Sequence, residues 1–157
     1  MARTTTEQVN PARSAQMSKV RGRDTKPEMR ARRALHAAGL RFRLQARDLP
    51  GRPDIVFRSR RIAIFVHGCF WHRHGDPNCK LARLPKTRLD FWEPKLEGNR
   101  QRDERNIAAI TAAGWRPIVV WECQTRDEAV LNNLVATVKN SPPARGAPST
   151  NFSPPGT

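Results

Sequence analysis

Acidic side chains are scarce in this sequence: 14 Asp and Glu stand against 29 Lys and Arg, for a formal net charge of +15. The deficit is not a property of the ends, because removing residues 1–16 and 141–157 lowers the net charge by only two. A folded body this basic concentrates polyanions, and nucleic acid is the commonest such partner, although ribosomal and membrane-surface roles stay open on charge alone. Long apolar runs are also missing. The longest, such as IAIFV, are far too short to cross a bilayer, and the N-terminal stretch lacks the apolar core of a signal peptide, so a soluble, cytoplasmic protein is expected. Cysteine is sparse and odd in number (Cys69, Cys79, Cys123), which argues against a disulfide framework and leaves metal binding as the better use. No internal repeat is visible, and 157 residues suffice for one domain with one modest core and one active centre.

Residues 1–16 are polar and lack periodicity, and residues 141–157 hold five prolines with little that could anchor them, so both ends are expected to be disordered around a domain spanning 17–140. Within it, Thr25 and Glu28 have capping-box spacing ahead of a helix that Gly39 stops. Strand-like runs follow at Leu40–Gln45, Asp54–Phe57 and Ile62–His67, with a polar turn at Arg58–Arg61. A long helix is predicted from Phe91 to Ala113 with Pro94 in its first turn, then a buried strand at Arg116–Trp121. Thr125 and Glu128 repeat the capping-box spacing before a last helix with Val130, Leu131, Leu134, Val135 and Val138 on one face. The order helix, three strands, helix, strand, helix predicts an α/β domain with a mixed sheet flanked by helices.

Three of the four histidines and two of the three cysteines fall in one segment, VHGCFWHRHGDPNC, residues 66–79. Cys69, His74 and Cys79 are each separated by four residues, and Cys123 follows the RPIVVW strand, giving a Cys3His set. Zinc favours thiolate and imidazole, and four protein ligands leave no open position for water, so the site would be structural. The alternative is that Cys69 and Cys123 are buried small hydrophobes. Asp54, in PGRPDIVF, opens one strand, and Val66 and His67 end its partner. Such a carboxylate at a strand start is how many nucleases hold Mg2+, although a PD dipeptide is otherwise an ordinary turn. Asp103 shares a stripe with Leu96, Ile107 and Ile110, which turns it inward and requires a partner. Glu28 fits a capping box and an inward site role equally. His67 and His72 could move a proton or be satisfied loop residues. Phe70 and Trp71 could be core, or a wedge that inserts between base steps.

The segments PGRPD (50–54), FVHGCFWH (65–72) and the cysteine closing VVWEC (119–123) together resemble the very-short-patch repair endonucleases, and RDTKPE, TRLDFW and GWRPIVVWEC match in order, over about Met17 to Lys139. The resemblance implies a restriction-endonuclease-like fold and an enzyme that nicks DNA 5′ of the thymine in a T:G mismatch, the product of 5-methylcytosine deamination. It implies that Asp54 bridges two Mg2+ ions and the Val66 carbonyl adds a ligand. His72 would act as base, His67 would assist at the phosphate, Asp103 would orient His72, and Glu28 would act through metal-bound water. Met17, Phe70 and Trp71 would intercalate, and Cys69, His74, Cys79 and Cys123 would hold Zn2+. The expected partner is double-stranded DNA with a T:G mismatch, bound by a monomer with no membrane involvement, and mismatch-repair proteins are candidate partners. Two departures stand out: Val66 replaces a threonine, which a backbone ligand tolerates, and the segment from His74 to Cys79 is longer than in the relatives. Three alternatives remain open: a restriction-type nuclease of the same fold without mismatch specificity, a non-catalytic zinc-stabilised DNA-binding module, and a histidine-metal nuclease with HGCFWHRH on a ββα hairpin.

Overall fold

The computed structural model describes residues 24–144; Met17 and the segments 1–16 and 145–157 lie outside the described residues. The first helix, α1 (Lys26–Ala37), starts where the spacing predicts: Thr25 is extended and accepts the Glu28 N–H, Pro27 sits in the first turn, and Gly39 closes the chain at φ +77. Strands β1 (Arg43–Leu44), β2 (Ile55–Phe57) and β3 (Ile62–His67) form an antiparallel meander, and β4 (Arg116–Trp121) pairs parallel to β3, from Ile62 opposite Arg116 to His67 opposite Trp121. Between β3 and β4 runs α2 (Leu89–Ala112), and α3 (Glu128–Lys139) follows β4. The described residues thus form a mixed sheet, ordered β1-β2-β3-β4, with three helices.

β2 is buried throughout and β3 nearly so, which is why IAIFV reads as a continuous apolar run rather than an alternation. Successive residues face opposite layers. Ile55, Phe57, Ile62 and Ile64 pack with Ala31 and Leu35 of α1 and Leu134 and Val138 of α3. Val56, Ala63 and Phe65 pack with Ile110 of α2 and with Ala46 and Leu49 on the other side. A sheet covered on both faces fixes the position of anything attached to its strand ends. None of the helices among the described residues is long and apolar enough to cross a membrane.

Four local expectations shift. The strand predicted over Leu40–Gln45 shrinks to Arg43–Leu44, because Gln45 takes a left-handed φ of +50 that no strand continues through. Asp54 falls one residue before β2 instead of within it. α2 begins at Leu89, so Pro94 lies in its second turn and the missing N–H costs an intrahelical bond. The cap of α3 is Asp127, whose carboxylate accepts the Ala129 N–H, while the Thr125 hydroxyl is spent on the Glu122 carbonyl.

The end of α3 is tied to the β2–β3 turn. Arg60 donates to the carbonyls of Val138, Lys139 and Ser141, and the Ala144 N–H donates to the Ser59 carbonyl at 2.7 Å. A cation on the last carbonyls of a helix also meets the negative end of its dipole. Arg60→Ala should therefore lower unfolding free energy by about 1–2 kcal/mol, measured by urea denaturation, with Arg60→Lys recovering part of the loss.

Candidate active site

Asp54 is held by the sheet. Its N–H donates to the Ile64 carbonyl at 3.0 Å, its carbonyl accepts from Gln45 N–H at 3.1 Å, and its Oδ2 accepts the Val66 N–H at 2.7 Å. The carboxylate thereby adds one rung to the β2–β3 ladder just before β2 begins. Burial pushes its carboxyl up to about 6, with the Glu28 charge adding to the rise and the Val66 N–H opposing it. A buried acid with one bonded oxygen and a desolvated charge is chemically suited to a dication.

Glu28 reaches the same cavity from the first turn of α1 and is only 3% exposed. Its Oε2 accepts from the Asp24 N–H and from Arg32 Nη2, both at 3.0 Å, and burial raises its carboxyl despite these partners. Glu28 thus caps its helix, one residue further out than the usual box, and lines the cavity as well.

From the other side come the imidazoles. The chain leaves β3 at His67 and coils through turns in which His72 N–H meets the Gly68 carbonyl and His74 N–H the Cys69 carbonyl. This folds the His72 ring flat on His67, with centroids 4.0 Å apart and planes 5° from parallel. His72 Nδ1 lies 2.5 Å from Asp103 Oδ2, so the inward Asp of α2 has the partner its position demands. Burial, reinforced by the adjacent His72, pulls His67 down to about 4 and keeps it neutral. Asp54, Glu28, Val66, His67, His72 and Asp103 all line one cavity of about 450 Å3.

The second expected cluster also forms. One ligand atom each from Cys69, His74, Cys79 and Cys123 lies within 4.8 Å of the others, so this Cys3His set could hold zinc. Burial pushes the Cys69 thiol up to about 12, a cost that a bound dication reverses by stabilising thiolate. Trp121 joins the two sites: its ring stacks on His74 at 4.4 Å and meets His67 edge-on at 5.3 Å.

His67, His72 and Asp103 also present atoms within 4.8 Å of one another. They are not on a ββα hairpin, however. β3 pairs with β2 on one side and β4 on the other, and residues 68–79 run mainly as turns. Phe70 and Trp71 are half-buried and form an edge-to-face group with Trp92 of α2, at 5.3 and 6.0 Å, and Asn99 holds the Trp71 carbonyl at 3.1 Å. Trp92, Asn106 and Arg52 were not singled out from the sequence. The TRLDFW match could have flagged Trp92 and the PGRPD match Arg52; Asn106 has no distinguishing spacing.

A basic domain with a carboxylate-and-imidazole cavity at its strand ends has chemistry suited to phosphodiester cleavage, and comparison with known proteins places the chain among the endonucleases. A family profile described as DNA mismatch endonuclease Vsr matches residues 7–79. The chain is 52% identical over 135 residues to Type II nicking enzyme V.XorIIP of Xanthomonas oryzae pv. oryzae, covering 83% of this chain and 97% of that one. It is 43% identical over 125 residues to DNA mismatch endonuclease Vsr of Escherichia coli, covering 80% and 78%. With Type II nicking enzyme V.NmeAIP of Neisseria meningitidis it shares 37% over 133 residues, covering 82% and 93%. The chain belongs to the Vsr endonuclease family.

The raised Asp54 carboxyl has a sign that can be tested. An acid whose folded pKa is raised from 3.8 to about 6 leaves stability intact below the lower value and removes it as pH rises through the upper one. Without divalent cations, Asp54→Asn should match wild type below pH 4. By pH 8 the variant should be the more stable by about 1–3 kcal/mol, read from urea unfolding across the pH range.

Proposed function

We propose that this chain nicks duplex DNA on the 5′ side of a thymine mispaired with guanine, in a Mg2+-dependent hydrolysis that leaves a 3′ hydroxyl and a 5′ phosphate. The observation that carries the reading is the convergence, in one cavity, of a sheet-held carboxylate with a His72–Asp103 pair, in a family whose profile is described as a mismatch endonuclease. The nicking-enzyme names of two relatives support a cut in one strand. The endonuclease unit is residues 17–140, acting as a monomer on DNA in the cytoplasm.

Asp54 and the Val66 carbonyl would hold Mg2+, with Glu28 contributing through water. When bound, the metal supplies Lewis-acid charge to the phosphate oxygens and lowers the pKa of water. His72 takes a proton from the attacking water through the ring nitrogen that Asp103 leaves free. Asp103 fixes that tautomer and ring plane. As the water oxygen bonds to phosphorus, the P–O3′ bond breaks and O3′ leaves with a proton from solvent. His67, kept neutral by burial, donates a hydrogen bond to the phosphate without adding charge. Phe70 and Trp71, backed by Trp92 and joined by Met17, form the wedge that opens the mismatch, where unstacking costs least. Cys69, His74, Cys79 and Cys123 would hold one structural Zn2+.

Two measurements test this. A labelled duplex with one T:G pair should be nicked on the T strand by wild type in Mg2+, a T:A duplex should not, and Asp54→Ala should bind but not cut. Equal cutting of both duplexes would identify a restriction-type nuclease, and tight binding without cutting a DNA-binding module. Metal analysis should find one zinc per chain, with Cys123→Ser lowering zinc content and melting temperature together. Zinc-free protein of unchanged stability would remove the structural-zinc assignment.

A further inference from the structure

Arg52 is the cation at the mouth of the cavity, and nothing in the described protein uses it. It lines the same space as Glu28, Asp54, His72 and Asp103, and its side chain is exposed. Three of the cavity's four carboxylates are engaged elsewhere, Glu28 with Arg32, Asp54 with the Val66 N–H and Asp103 with His72, and the fourth, Glu122, makes no ion pair with Arg52. Among the described residues the Arg52 guanidinium has neither an ion pair nor a hydrogen bond, although four acids, Glu122 included, line its cavity.

The backbone makes the choice of arginine less expected still. Gly51 and Arg52 are consecutive left-handed residues, at φ +75 and +49. Glycine suits such a position, whereas a side chain there is strained. The turn cannot relax easily. A Cβ on Gly51 would stand 2.8 Å from Asn106 Cβ and 3.0 Å from the Phe65 ring, so the turn lies hard against α2 and β3. Arg52 N–H closes it on the Leu49 carbonyl at 3.2 Å, and Pro53 limits the next φ before Asp54. A long cationic side chain is thereby projected from a rigid turn, two residues from the cavity's central carboxylate. Arg61, Arg73 and Arg88 share the left-handed backbone, so what sets Arg52 apart is the rigid turn that holds it at the cavity mouth without a protein partner.

Resting on the nuclease reading above, we propose that Arg52 is a catalytic residue that grips the attacked phosphate, its guanidinium fork donating to the non-bridging oxygens as charge builds on them. A planar fork with no protein partner matches two phosphate oxygens in geometry and charge. No bond to Arg52 is made or broken; it holds and neutralises.

The test uses Arg52→Gly, which suits the left-handed backbone, with Arg52→Lys and Asp54→Ala beside it, on the T:G duplex. Arg52→Gly should melt no lower than wild type. Its single-turnover nicking rate at saturating protein should fall at least ~100-fold, the scale of losing a transition-state donor. Guanidinium ion added below denaturing concentrations should restore part of that rate, and Arg52→Lys should fall between. For binding measured in EDTA, the slope of log affinity against log salt should drop by about 0.9, one phosphate contact. Nicking within about threefold of wild type at saturation would overturn the proposal, placing any lost contact on a distant phosphate. A rate loss with a lowered melting temperature and no guanidinium rescue would also overturn it, making Arg52 a support of the turn. Asp54→Ala separates the two readings: if it nicks normally, the nuclease assignment of the cavity fails, whereas an inactive Asp54→Ala beside an active Arg52→Gly defeats only the role given to Arg52.

Discussion

The hydrogen bond from the Val66 N–H to the Asp54 carboxylate is the point on which the site depends. β2 begins at Ile55, and the residue before it extends the ladder with a side chain where a main-chain carbonyl would ordinarily serve. That substitution fixes the carboxylate with the stiffness of a sheet, yet leaves it at the edge of the protein's interior. The cost is a buried acid that ionises reluctantly. The same strand, β3, goes on to present His67 and then Cys69, so carboxylate, imidazole and thiol are all indexed to one buried run, IAIFVH. Packing on both faces of that strand is what keeps them in register.

The loop after β3 couples two sites of different character. His72 lies between Cys69 and His74, two members of the thiolate-imidazole cluster, and Trp121 lies against both His74 and His67. Residues 68–79 contain little regular structure. Ordering the cluster therefore orders the imidazole that stacks on His67. The fourth cluster member, Cys123, arrives from the end of β4, whose parallel pairing with β3 brings Trp121 opposite His67.

Much of this was legible in the sequence where a local rule and the tertiary context agree. β3 and β4 appear at their predicted residues, because both are apolar runs bounded by a turn signal or a glycine. The Cys3His set was readable from spacing, and Asp103 from its stripe on α2, since an inward acid on an otherwise apolar stripe has few explanations. What failed were places where two local signals compete. Thr125 and Asp127 both have the chemistry of a cap, and the shorter reach of Asp127 to Ala129 N–H prevails while Thr125 turns back to Glu122. Gln45 carries no mark of a left-handed residue, so the end of β1 was invisible. Asn106 matters only through what surrounds it, and Arg52, although inside PGRPD, is one of 29 Lys and Arg and gained meaning only from its place at the cavity.

The outer strands of the sheet have a bearing on how copies of the chain meet. β1 has two residues, Arg43 and Leu44, both exposed, and the left-handed Gln45 ends the strand directly afterwards. At the opposite edge, β4 opens with Arg116 and then Pro117, which has no N–H to offer. Short, charged and proline-bearing borders give a neighbouring sheet little to zip onto. Through the described strands, edge-to-edge pairing of two copies would therefore find little backbone to use.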